Sequence, residues 1–99
     1  MIVTKHATDR ARERMGIPRK STDRIATRAF DTGVHREDTA GSLRRYLDKV
    51  YFKHGDADNI RVFAYFVYVF SGTALLTVFP LPQQYKSTID KINRRNADV

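Results

Sequence analysis

Residues 60–82 constrain the fold most strongly, because this stretch contains a single formal charge, Arg61. Val, Phe, Tyr and Thr are frequent in it, and these residues favour strands. They form three runs, at residues 60–63, 66–71 and 73–79. Only one or two residues separate successive runs, whereas a parallel crossover needs about a dozen. The stretch is therefore predicted to form an antiparallel meander.

The chain on either side of this meander shows helical spacing. Apolar residues three or four positions apart predict helices over residues 5–15, 18–32, 42–53 and 83–95, with a polar loop over residues 34–41. Thr4 is a suitable N-cap for the first helix and Gly16 a suitable C-terminal stop. Pro18 suits the first turn of the second helix, where its missing N–H costs nothing.

These elements predict an α+β fold in one domain, residues 1–99. Two to three N-terminal helices, within residues 4–54, pack on a three- to four-stranded antiparallel meander, within residues 59–80. A short C-terminal helix over residues 83–95 completes the domain. A hydrophobic content of 41% is enough for one core in a chain of 99 residues.

The charge of the chain indicates the class of its partner. The net charge is +7, and a small domain this basic is expected to bind a polyanion, for which RNA or DNA is the leading candidate. No apolar window has the length of a membrane span, and the first residues lack a signal-peptide core. The sequence contains no cysteine, which excludes disulfides and thiolate zinc sites. A cytoplasmic protein without membrane contact, metal or cofactor is therefore predicted.

His6, Arg10 and Arg14 are the first candidate site residues. They are four positions apart, so a helix stacks them on one face, a turn apart. Imidazole can transfer a proton near neutral pH, and guanidinium groups bind phosphate. The stripe therefore suits cleavage or binding of a phosphodiester, although an ordinary solvated basic face has the same pattern. Glu13 is interpreted as an ion-pair partner of Arg10 or a solvated residue, with a general-base role as the alternative.

A second basic group lies on the third predicted helix. Arg45 and Lys49 share a face and could follow a phosphate backbone, while Tyr46 could stack on a base or flank the core. His35 and His54 lack the spacing of metal ligands.

Three residues of the meander complete the candidates. A lone charge in a strand, such as Arg61, either points to solvent or lines a site. Thr77 could donate to a phosphate oxygen or simply be a strand-favouring residue. Tyr68 could stack on a base or fill the core with its hydroxyl at the edge.

The order of helices before a meander resembles that of the metal-independent ribonuclease superfamily, which includes barnase, the colicin ribonucleases and RelE-type toxins. The closer likeness is to short proteins of phages and mobile elements, and it covers about residues 4–85. The residues that carry it are Lys5, His6, Arg10, Glu13 and Arg14, then Ile60, Arg61, Val62, Val67, Tyr68, Val69, Phe70, Leu75, Leu76, Thr77 and Val78. The resemblance implies RNA cleavage by a His on the first helix, a basic residue in the sheet and a Ser or Thr on a late strand. His6, Arg61 and Thr77 occupy those positions.

Two functions are consistent with the sequence. The first is a metal-independent endoribonuclease, toxin-like or phage-encoded, in which the RNA 2′-OH attacks its own phosphate. The alternative is a non-catalytic basic module that binds nucleic acid or a host protein, so enzymatic activity stays open at this point. A toxin-like protein would have an antitoxin as a further partner. An open edge of the meander would allow a homodimer as well as a monomer.

Overall fold

The computed structural model describes residues 1–97 of the chain. Its strands are β1 (Ile2–Val3), β2 (Val34–His35), β3 (Asn59–Phe63), β4 (Phe66–Ser71) and β5 (Ala74–Pro80). Its helices are α1 (Lys5–Met15), α2 (Arg19–Thr32), α3 (Gly41–Lys53) and α4 (Lys86–Ala97), with short 3-10 turns at Arg36–Asp38 and Gln83–Tyr85.

The sheet has the strand order β1-β5-β4-β3-β2. Strands β2 to β5 pair antiparallel in sequence, as the predicted meander requires, whereas β1 pairs parallel with the start of β5. The predicted α+β class is confirmed, but the sheet is mixed and has five strands. The two additional strands contain only two residues each, which is too short for any periodic pattern to show.

Helices cover both faces of the sheet. A helical N-terminal half packed on a meander suggests instead that most of the helices lie on one face. In β4, Phe66, Tyr68 and Phe70 belong to the core under α1 and α2, while Val67 and Val69 belong to the core under α3 and α4. The large aromatic face meets helices that pack through alanines, and the small valine face meets helices that pack through Leu and Ile. Large residues therefore pack opposite small ones in both layers.

The predicted caps of α1 are confirmed. The Thr4 side chain accepts a hydrogen bond from the Ala7 N–H at 3.1 Å, and Gly16 ends the helix with a φ of 66°. Pro18 precedes α2 as its N-cap instead of lying in its first turn. The predicted loop over residues 34–41 instead contains β2 and a 3-10 turn before α3 begins.

Strand β1 pairs only with the start of β5, and α1 packs along the rest of this edge of β5. The Thr4 hydroxyl donates to the Leu75 carbonyl at 3.0 Å, and an Arg14 N–H donates to the Val78 carbonyl at 2.9 Å. These bonds fix α1 alongside β5, at the boundary between the two helical layers. Among residues 1–97, no helix combines the length and the apolar character that a bilayer crossing requires.

Candidate active site

A cleft of about 460 Å³ lies where α1, the C-terminal half of α3 and strand β5 meet. This volume falls in the range of roughly 300–1,000 Å³ that is usual for small-ligand sites. Its lining residues are His6, Arg10, Arg14, Tyr46, Lys49, Val50, Lys53, His54, Thr77 and Phe79. Six of the nine site residues predicted from the sequence are therefore brought together, although they come from three distant segments.

Helix α1 forms the first wall of the cleft. Ala7 and Ala11 are fully buried against the sheet. The margin of the core is therefore formed by the residues that precede this inward-facing line by one position, namely His6, Arg10 and Arg14. Arg10 forms an ion pair with Glu13 at 2.8 Å, as interpreted from the sequence. Arg14 is held by its bond to the Val78 carbonyl. Both guanidinium groups are thus oriented by the protein and retain further N–H donors.

Helix α3 forms the opposite wall with the same four-residue spacing. Tyr46, Val50 and His54 follow one another at intervals of four, with Lys49 and Lys53 between them. The Tyr46 ring packs on Tyr85 with 5.0 Å between centroids. Burial and the neighbouring phenol of Tyr85 raise the pKa of Tyr46 above its ordinary value, so its hydroxyl keeps its proton at neutral pH. Tyr46 therefore offers an aromatic surface and a hydrogen-bond donor at the edge of the cleft.

Strand β5 supplies the third side. Thr77 pairs with Val69 and Phe79 pairs with Val67, and these β4 residues face α3. Thr77 is only 4% exposed, so it lies deep in the cleft with its polar side chain surrounded by apolar strands. Its hydroxyl can donate to a ligand oxygen from a fixed position.

The sequence prediction missed two polar residues of the cleft, Lys53 and His54. His54 ends α3 and is partly buried. Burial, followed by the positive charges of Lys53 and His6, lowers the pKa of His54 from its ordinary value. A signal was available, because residues 46, 50 and 54 repeat the spacing of residues 6, 10 and 14. It could not be used without knowing that the two helices line one cleft.

Arg61 does not belong to this cleft, and the prediction that it works beside His6 is wrong. It lies on the face of the sheet that carries α1 and α2, and it is 8% exposed. Its guanidinium donates to the Phe30 carbonyl at 2.6 Å and to Asn59 Oδ1 at 2.9 Å, and it lies 5.4 Å from the Phe30 ring centroid. Since it alternates with residues facing α3, the period of the strand turns it away from Thr77.

Tyr68 is also separated from the cleft, because its side chain lies in the core between the sheet and α1 and α2. It is 1% exposed, and burial raises its pKa to about 12. Its hydroxyl contacts the Met15 sulfur at 3.9 Å. No base can stack on a ring so enclosed, so the core alternative is correct and the RNA-binding assignment is wrong. Arg45 is exposed on α3, one turn before Lys49, and does not line the cleft.

The electrostatics of the cleft favour an anion. Four permanent cations line it, namely Arg10, Arg14, Lys49 and Lys53, and within residues 1–97 its lining includes no carboxylate. Comparisons with protein-family models, with curated proteins and with solved structures find no match to the chain. The resemblance to metal-independent ribonucleases therefore stays a prediction. The function is inferred from the chemistry of the residues that line the cleft.

Proposed function

We propose that this protein is a metal-independent endoribonuclease whose active site is the cleft between α1, α3 and β5. The observation that carries the proposal is that imidazole groups, four cations and a Thr hydroxyl line one cleft, with no carboxylate among the lining residues of the described part of the chain, 1–97. Proton transfer and stabilisation of phosphate charge are the two requirements of phosphodiester cleavage by an internal nucleophile.

In the proposed reaction, the RNA 2′-OH loses its proton and its oxygen attacks the adjacent phosphorus. The bond from phosphorus to the 5′-oxygen breaks, that oxygen receives a proton, and a 2′,3′-cyclic phosphate remains. His6 takes part in proton transfer, since it lines the cleft and histidine is the side chain most often used for general acid–base catalysis. DNA, which lacks the 2′-OH, cannot follow this path.

Arg10 and Arg14 bind the non-bridging phosphate oxygens, and Arg14 is held in place by its partly buried bond to the Val78 carbonyl. Preorganised donors stabilise developing charge better than mobile ones. Thr77 donates from the floor of the cleft.

Neighbouring parts of the RNA contact the second wall. Lys49 and Lys53 are exposed and suit the flanking phosphates, and exposed Arg45 extends this basic surface by one turn. Tyr46 provides the stacking surface for a base. We place the reaction in the cytoplasm. If the protein is a toxin, an antitoxin protein would inhibit it by binding over this cleft.

The proposal is tested by incubating the purified protein with RNA in the presence of a chelator. We expect endonucleolytic cleavage that survives the chelator, with 2′,3′-cyclic phosphate at the product ends. His6→Ala should lower the rate by at least about 10²-fold. His35→Ala is the matched control, because His35 lies on β2 with its side chain 46% exposed and outside the cleft; it should cleave RNA like the wild type.

Two results would contradict the proposal. Full activity in a folded His6→Ala variant would remove His6 from the reaction. Binding of RNA that weakens steeply with salt, without any cleavage, would support the non-catalytic alternative instead.

A further inference from the structure

We propose that the two histidines of the cleft divide the proton transfers, with His54 as the general base and His6 as the general acid. The proposal rests on the proposed ribonuclease function and adds a catalytic residue to it. His6 reaches the cleft from the first turn of α1, and His54 from the end of α3. The imidazoles therefore enter the same cleft from separate elements, as two groups acting on opposite sides of one phosphate require.

The backbone fixes the position of His54. Its N–H donates to the Val50 carbonyl at 3.2 Å, and its carbonyl accepts from the Ala57 N–H at 2.8 Å. His6 is fixed in turn because Thr4 caps the first turn of α1 and binds β5. The backbone of each histidine is therefore held at a hydrogen-bonded helix end.

The surroundings of the two imidazoles differ in a way that assigns their roles. His54 is partly buried and adjoins Lys53, and these conditions favour the neutral form that a base needs. His6 is the more exposed of the two, and the acid role is assigned to it because His54 takes the role of the base.

Among residues 1–97, the charged groups that line the cleft beside the pair are all cationic, and Glu13, which does not line it, is paired with Arg10. The cations are Arg10 and Arg14 on α1 and Lys49 and Lys53 on α3, while β5 contributes the uncharged Thr77 and Phe79. The phenol of Tyr46 keeps its proton over the working range. A bound phosphate would offset part of this positive charge, and both imidazoles would experience the weaker positive field.

The proton balance of the step is complete. Neutral His54 removes the proton of the 2′-OH as the oxygen–phosphorus bond forms. Protonated His6 gives its proton to the departing 5′-oxygen as that bond to phosphorus breaks. The two histidines end with their protonation states exchanged, and water restores them.

A change of leaving group separates the two roles. The substrates are a mixed-sequence oligoribonucleotide and a mixture of the four nucleoside 3′-(4-nitrophenyl phosphates), whose nitrophenolate departs without a proton. For the oligoribonucleotide, His6→Gln and His54→Gln should each reduce kcat/KM by about 10²–10⁴-fold. For the nitrophenyl esters, the kcat/KM of His6→Gln should be within a few-fold of the wild-type value, whereas that of His54→Gln should stay reduced. His35→Gln should match the wild type on both substrates.

Wild-type pH dependence provides a readout that needs no variant. The kcat/KM for the oligoribonucleotide should rise with pH as His54 loses its proton, with a midpoint below that of an ordinary histidine, and fall once the acid is deprotonated. With the nitrophenyl esters the falling limb should disappear and the rising limb remain.

The possible failures are distinguishable. If His54→Gln cleaves both substrates normally while His6→Gln is inactive, the proposed function survives and the role of His54 is wrong. If the nitrophenyl esters rescue His54→Gln instead, the two roles are reversed and the assignment fails. If the wild type cleaves neither substrate, both proposals fail.

Discussion

Replacing Arg61 by Met tests whether this residue stabilises the fold or takes part in the proposed RNA cleavage. The guanidinium donates to the Phe30 carbonyl at 2.6 Å and to Asn59 at 2.9 Å, on the face of the sheet away from the cleft. Met retains most of the aliphatic stem, so little cavity forms. We therefore expect a loss of stability with cleavage unchanged in the folded protein.

The size of the effect follows from the groups left behind. Leaving the partly buried Phe30 carbonyl without its partner costs up to about 1–3 kcal/mol, and loss of the contact with the Phe30 ring adds about 0.5–2 kcal/mol. Relief from burying a charge offsets part of this cost. A net loss of about 2 kcal/mol would lower the Tm by roughly 8–16 °C in a domain of this size.

The assay combines thermal unfolding followed by circular dichroism with RNA cleavage measured well below the Tm of the variant. Thr77→Val is the matched comparison, because Thr77 is the other residue of the sheet predicted to be catalytic. It should change stability little and reduce cleavage by about 10²-fold, the effect of losing one donor to a developing oxyanion. An Arg61→Met variant that keeps its Tm and loses cleavage would refute the separation of Arg61 from the site.

Three further predictions concern stability. Ala64→Asn should raise stability by about 0.5–1 kcal/mol in denaturant unfolding, because Ala64 has a φ of 50° in a turn where Asn is preferred; no gain would contradict the strain. Gly33→Ala should lower stability by more than about 2 kcal/mol, since its Cβ would lie 2.5 Å from the Ala29 carbonyl oxygen; a neutral result would contradict this close approach. Two arginines lower the pKa of Asp48, so its contribution should be present above the unfolded-state pKa and disappear as the pH falls through the folded-state value; the Tm difference between wild type and Asp48→Asn should therefore shrink in acid, and a constant difference would contradict the linkage.

The sequence alone determined the local elements. Capping by Thr4 and Gly16, the four-residue spacing of α1 and the short links of the meander depend on neighbours along the chain, and they were predicted correctly. The class of the fold followed from them. The two-residue strands could not be predicted, because each exists only through its pairing with β3 or β5.

Tertiary structure decided which residues share a site. The spacing of His6, Arg10 and Arg14 placed them on one helix face, and strand alternation placed Arg61 on the opposite side from its neighbours, but neither pattern says which face looks toward which helix. Packing of α1 along β5, at the boundary of the two helical layers, brought the stripe next to Thr77 and His54. Arg61 and Tyr68 instead lie on the side of the sheet that α1 and α2 cover. Periodicity along a chain fixes only relative orientation within an element, whereas the burial of both sheet faces fixes orientation between elements.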